Sequence, residues 1–311
     1  MIVVLLAVKG FYTSQRVSIR ARQITVGSRN SSKDLNWRMT VTVTAQGVTY
    51  LLDLHSLSNN GGRKMKLDNK VAIVTGGSRG IGQTIALTLA KEGADVVVNY
   101  KQDRQAAENV ANSIKDMGRR AIVIGADVSS YEQVKKMVDV TLKEFARIDI
   151  LVNNAGIFKD STIAKMTDET WDEVISTNLT GTFNCTKSVI DIMRNQKSGR
   201  IINITSVVGQ IGVAGAANYA ASKAGVIGFT KATAKEVAKK GITVNAIALG
   251  YIYEGMLKRL PQEMQDSILS QIPLGRFGKP EEVGSLVAYL ASDDAGYITG
   301  QVINLNGGYY M

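Results

Sequence analysis

From position 65 onward, short apolar, β-branched runs alternate with longer stretches in which apolar residues recur every three or four positions. The runs Val71–Thr75, Asp95–Asn99, Ala121–Ile124, Ile148–Val152, Arg200–Thr205, Ile242–Ile247 and Gln301–Asn304 predict strands. The patterns near 81–92, 103–117, 130–146, 168–195, 218–240 and 280–291 predict helices between them. Such β-α-β spacing implies parallel strands joined by crossover helices. Upstream, Met39–Leu54 shows strand-like alternation but predicts no domain of its own.

The expected fold class is therefore α/β: a doubly wound, Rossmann-like parallel sheet of about seven strands with helices on both faces. No Pro/Gly/Ser-rich linker interrupts residues 65–311, and the chain has only Pro261, Pro273 and Pro280. This stretch reads as a single domain with an insertion near 250–279. Within that insertion, Met256, Leu257, Leu260, Met264, Ile268 and Leu269 suggest an amphipathic lid, or an ordinary packed helix.

Charge and composition narrow the function. The chain of 311 residues has a net charge of +10, but residues 1–64 hold nine Lys/Arg and only two Asp/Glu. The remaining stretch keeps 28 basic and 25 acidic residues, so a nucleic-acid partner is not expected. The one cysteine, Cys185, excludes an intrachain disulfide and suits a reducing, cytoplasmic setting. The one histidine, His55, lies in the leader, so residues 65–311 hold no Ser-His-Asp triad and no His-ligated metal.

The candidate chemistry centres on Arg200–Lys223, a buried strand followed by a Gly-rich turn and a helix. Ser206 stands at the strand's end, Tyr219 thirteen positions later and Lys223 four beyond that. Positions i and i+4 share a helix face. An ammonium beside a phenol lowers its pKa from about 10, giving a tyrosine able to exchange protons near neutrality. Tyr-x-x-x-Lys alone is also a common chance pair on a helix surface.

A second signal follows the first strand. Gly76, Gly77, Ser78, Arg79, Gly80, Ile81 and Gly82 form a glycine-rich turn into a helix, suited to a pyrophosphate at the helix N-terminus. Strand two ends in Val98-Asn99-Tyr100-Lys101, without the acid that would bind a ribose 2′-hydroxyl. Arg79 and Lys101 suit a 2′-phosphate instead, favouring NADP(H). Asp127 follows strand three, where it could accept a bond from an adenine amino group. Asn153-Asn154-Ala155-Gly156 follows strand four, and Asn178 lies within a long helical pattern.

Taken in order, Thr75–Gly82, Asp127, Asn153–Gly156, Asn178, Ser206, Tyr219 and Lys223 resemble the short-chain dehydrogenase/reductase family over residues 67–311. The runs 272–276, 298–301 and 306–308 are similar to its 3-oxoacyl-[acyl-carrier-protein] reductase branch, with acetoacetyl-CoA reductases as similar neighbours. The resemblance implies that Tyr219 protonates a substrate carbonyl oxygen and that Ser206 hydrogen-bonds it. Lys223 would bind the nicotinamide ribose and lower the Tyr219 pKa, and Asn178 would hold a water that feeds protons to Lys223. NADPH would supply hydride. Its contacts would come from Gly76–Arg79, Asn99, Asp127, Val128, Asn154 and Ile252, with Lys101, Ala155, Gly156, Tyr219 and Lys223 beside them.

The same resemblance implies a cytoplasmic homotetramer acting on an acyl carrier protein thioester in fatty acid biosynthesis, with no membrane partner. Lys197 and Lys240 are candidate cations for carrier docking. Ala220, Ala221, Ala224, Gly225 and Gly228 offer a small-residue face for close helix approach. Another ketone or sugar reductase is the alternative enzyme, and a catalytically weak NADP-binding scaffold the alternative of another class. The chain departs from the family pattern at Leu249 for Pro, Glu254 for Thr and Ala216 for Gln. Leucine loses the fixed turn of proline, and a carboxylate is a poor neighbour for phosphates.

Residues 1–64 read as a leader. Met1–Val8 is apolar, but it is too short to span a bilayer and no basic residue precedes it. The acid-poor, Arg- and Ser-containing composition allows a transit peptide. Gly61-Gly62-Arg63-Lys64-Met65 is also encodable by a purine-rich string resembling a bacterial ribosome-binding site before a start codon. The expectation is that translation begins at Met65. Intact mass of protein made from its native gene should show a chain starting there; a species retaining residues 1–64 would overturn it.

Overall fold

The inner strands of the central sheet divide their side chains between two cores. Ala72 and Val74 face one core, whereas Val71 and Ile73 face the other. The same alternation sends Val96 and Val98 one way and Val97 the other. A strand buried on both faces reads as an unbroken apolar run, which is why these segments were visible in the sequence. The computed structural model describes residues 40–45, 48–53, 65–255 and 257–311.

Residues 1–64 and 65–311 form two separate units. In the first, Thr40–Ala45 pairs antiparallel with Val48–Asp53, in the segment where alternation was noted. In the second, the strands are β1 (Val71–Val74), β2 (Asp95–Tyr100), β3 (Ala121–Gly125), β4 (Ile150–Asn153), β5 (Gly199–Ser206), β6 (Ile242–Leu249) and β7 (Val302–Leu305). They lie in the order β3-β2-β1-β4-β5-β6-β7, and every pairing is parallel. This is the expected doubly wound, Rossmann-like sheet of seven strands.

The helices are α1 (Gly80–Lys91), α2 (Arg104–Asp116), α3 (Tyr131–Phe145), α4 (Asp168–Ile175), α5 (Gly181–Gln196), α6 (Ala217–Val237), α7 (Gln262–Leu269) and α8 (Pro280–Ala291). One core is closed by α1, α2 and α8 through Ile85, Leu89, Val110, Ile114, Val283 and Val287. The other is closed by α3, α5 and α6 through Val134, Met137, Val189, Met193 and Val237. The order in which strands are added reverses between β1 and β4, and at such a switch point the carboxyl ends of the strands open a crevice.

Two expectations change. The single helix over 168–195 is two helices divided by a π turn, Ser176–Thr180, that contains Asn178. In the insertion, α7 buries Gln265, whose Nε2 donates to Leu260 O at 2.9 Å, while Met264 stays 53% exposed. Pro261 sets where this helix starts, and that register turns Met264 away from the protein; Met256 lies outside the described residues. Lys197 and Lys240 immediately precede β5 and β6, at the amino edge of the sheet. They stand an eight-residue strand, roughly 25 Å, from the crevice.

Candidate active site

The glycine-rich turn between β1 and α1 is shaped by side chains from neighbouring strands. Asn99, only 2% exposed, accepts from Gly76 N at 3.1 Å through Oδ1. Its amide donates to Ile124 O and Ala126 O, so the side chain is committed to the backbone it positions. Thr75 Oγ1 accepts from Asn154 N at 2.9 Å and from Ala155 N at 3.0 Å, while Asn154 Nδ2 donates to Thr75 O. These bonds draw the ends of β1 and β4 together. A β carbon on Gly82 would lie 2.2 Å from Gly76 O, so α1 approaches the turn only because residue 82 is glycine.

The N-terminus of α1 is open. Its N-cap, Arg79, supplies no side-chain bond, and its first turn holds no acid. By contrast Asp103, Ser130 and Thr167 cap α2, α3 and α4. Uncapped N–H groups at a helix start attract an anion. Glycine cradle, open helix end and exposed Arg79 together fit a dinucleotide's diphosphate. Lys101 is not a free cation: it pairs with Asp127 at 2.7 Å. Partial burial pulls the Asp127 carboxyl upward, but hydrogen bonds from Lys101 and Ser129 outweigh it and hold the group below its ordinary value. Val128 is buried beside Asp127, and Ile252 is bridged to Gly278 beyond β6.

Ser206, Tyr219 and Lys223 converge at the carboxyl end of β5. Ser206 closes that strand; its hydroxyl accepts from Val208 N at 3.2 Å, donates to Leu249 O at 3.5 Å, and lies near enough to the Tyr219 phenol to pull its pKa down. Phe158 meets the Tyr219 ring edge-on, with centroids 5.1 Å apart. Lys223 is 5% exposed; its Nζ donates to Ile204 O at 2.9 Å and stands 5.6 Å from the Tyr219 ring centroid. Asn178, in the π turn, accepts from Ile157 N at 2.8 Å and donates to Ile157 O and Ser222 Oγ. A β carbon at Gly156 would meet both Asn178 Oδ1, at 3.2 Å, and Lys223 Nζ, at 3.5 Å. All four expected catalytic side chains therefore lie around one point.

A family model described as enoyl-(acyl carrier protein) reductase matches residues 76–310. The 3-oxoacyl-[acyl-carrier-protein] reductase FabG of Staphylococcus epidermidis is 51% identical over 243 residues, covering 78% of this chain and all of that protein. Its namesake in Staphylococcus aureus is 50% identical, covering 78% of this chain and 98% of the relative. The 3-oxoacyl-[acyl-carrier-protein] reductase of Synechocystis is 52% identical over 246 residues, covering 79% and 98%. The chain belongs to the short-chain dehydrogenase/reductase family. It is accordingly an oxidoreductase that uses a nicotinamide cofactor.

Within this reductase, the electrostatics differ from the expected acidic tyrosine. Desolvation raises the Tyr219 pKa above its ordinary 10, and the Ser206 hydrogen bond only partly opposes it. Burial acts on Lys223 as well, lowering its ammonium from 10.5 to about 8. A neutral phenol at pH 7 is ready to give a proton rather than to take one.

Several positioning residues of the reductase were not singled out in the sequence. Ser222, fully buried, donates to Tyr219 O at 2.8 Å while accepting from Asn178. Asn218, also fully buried, accepts from Tyr219 N at 2.7 Å and donates to Lys159 O, tying the segment after β4 to α6. Asn203 and Thr230 extend from the already noted Asn153 a buried chain of 2.8 Å bonds beneath the site. A polar residue interrupting a buried apolar strand, such as Asn203 in Arg200–Thr205, was the available signal.

The Lys223 pKa carries a stability prediction. A lysine that is harder to protonate when folded destabilises fully below about pH 8, and the penalty fades as pH rises toward 10.5. Lys223→Met should gain on the order of 2 kcal/mol at neutral pH, net of the lost bond to Ile204. That gain should shrink toward alkaline pH in urea unfolding curves; a pH-independent gap would refute the account.

Proposed function

We propose that this enzyme reduces the keto group of a 3-oxoacyl thioester carried on acyl carrier protein, using NADPH, in cytoplasmic fatty acid biosynthesis. The observation that carries this reading is the buried Ser206 hydroxyl beside the Tyr219 phenol, with the buried Lys223 ammonium 5.6 Å from the Tyr219 ring centroid. Two hydroxyl donors converging on one point suit a single carbonyl oxygen. This favours ketone reduction over the carbon–carbon double bond named by the matched family model. The names of relatives at 50–52% identity support the carrier-bound substrate. Arg79 and a β2 end without an acid support NADP(H) over NAD(H).

When bound, the reduced nicotinamide supplies the hydride. Tyr219 gives its phenolic proton to the carbonyl oxygen, and Ser206 donates a hydrogen bond to that oxygen as negative charge develops. The substrate thus gains one hydride at carbon and one proton at oxygen. Lys223, its ammonium already against the Tyr219 ring, returns a proton between turnovers, and Asn178 backs that path. The cradle of Gly76–Gly82, Asn154, Ala155 and Gly156 seats the cofactor. Asn99 acts on the cradle's shape, and Asp127, Val128 and Ile252 line its flanks.

NADPH consumption should be fastest with acetoacetyl-carrier protein, slower with acetoacetyl-CoA and other ketones, and absent with a 2-enoyl thioester. Tyr219→Phe should lower turnover roughly 10²–10⁴-fold while leaving NADPH binding unchanged. Near-normal activity in that variant would refute the assigned acid. NADPH binding without turnover on any substrate would favour the scaffold reading.

A homotetramer is part of the same proposal. Gly225 packs inward against Leu179, while Ala224 and Gly228 on α6 are exposed, as is Phe183 on α5, next to Phe229. Light scattering should give the mass of four chains; a single-chain mass would overturn it.

A further inference from the structure

Glu254 lies on the segment leaving β6, and the fold brings it to the cofactor cradle. A β carbon at Gly80 would sit 3.6 Å from Glu254 Cγ, which places the side chain against the first turn of α1. That turn holds no acid of its own and no side-chain cap, so Glu254 brings a negative charge from outside to an end built for anions. The segment is held there. Tyr253 N donates to Gly278 O at 2.8 Å, the Tyr253 ring stacks on Phe277 at 5.8 Å, and Glu254 N donates to Ile252 O. The carboxylate pairs with Lys258 Nζ at 2.5 Å, and Lys258 also stands 5.8 Å from the Tyr253 ring centroid.

We propose that Glu254 sets the affinity for the dinucleotide: its charge opposes the diphosphate at the cradle, and Lys258 masks that charge. This rests on the reading of the cradle as an NADP(H) site. The hydrogen bond from Lys258 holds the Glu254 carboxyl below its ordinary value, so the group stays ionised at neutral pH. A like charge a few ångströms from a phosphate weakens binding, and a nearby ammonium cancels part of that effect. The pair therefore acts as one unit, and its two halves push affinity in opposite directions.

The test is NADPH binding to the full chain by calorimetry, with wild type, Glu254→Gln, Glu254→Thr, Lys258→Ala and the Glu254→Gln/Lys258→Ala double variant. Both Glu254 variants should lower Kd about tenfold, and Lys258→Ala should raise it about tenfold. In the Glu254→Gln background, Lys258→Ala should have no effect, because nothing remains to mask. Added salt should narrow these differences. Unchanged Kd in both Glu254 variants would overturn the proposal while leaving the cofactor reading intact. So would an equal loss from Lys258→Ala in both backgrounds, since Lys258 would then touch the phosphates itself. No NADPH binding by any of the five proteins would overturn the cofactor reading and this proposal together.

Discussion

A buried ammonium is the constraint on which this site depends. Lys223 has one strong internal partner for its Nζ, the carbonyl of Ile204, and its own carbonyl accepts from Thr205 Oγ1 at 2.8 Å. Burying a charge is costly unless hydrogen bonds compensate, so the surroundings must be both tight and polar. Gly156 leaves room for the ammonium, and Asn178 and Ser222 fix the backbone around it. Position of the phenol follows from position of the lysine, because both ride on α6 one turn apart.

The cofactor end of the crevice obeys the opposite logic. Near Lys223 polar groups find partners within the protein, whereas α1 begins without a side-chain cap. The bonds that would satisfy a helix start elsewhere are spent one layer back, on Asn99, Thr75 and Asn154. The two departures here from the family pattern behave differently. Leu249 is absorbed: its side chain joins the core, its carbonyl accepts from Val207 N, and the following Gly250 N donates to Leu305 O. The turn is thus held by strand pairing in place of a proline ring. Glu254 is not absorbed, because it stays at the cradle.

The sheet was legible because each buried strand is a short apolar run bounded by turns, and the crossover helices keep their own period. The alignment of Ser206, Tyr219 and Lys223 was legible because a strand end and one helix face are fixed by spacing. Two features were not. A π turn adds one residue to a helix without disturbing its apolar period enough to be seen, so Asn178 looked like an ordinary helical residue. The Tyr219 pKa depends on how far the phenol itself is desolvated, which i,i+4 spacing does not report.

The π turn has a consequence for how this site is inherited. An α-helix running unbroken from 168 to 196 would satisfy its backbone more regularly than the two pieces observed. Deleting one residue between 176 and 180 would repair the irregularity, yet it would rotate α4 by about 100° against α5 and swing Asn178 away from Ile157. The segment therefore sits one deletion away from a regular helix that would no longer hold Asn178 at Ile157. A chain lacking that residue would keep both helices and lose this anchor, so helix length across 168–196 reports whether Asn178 can stand beside Gly156.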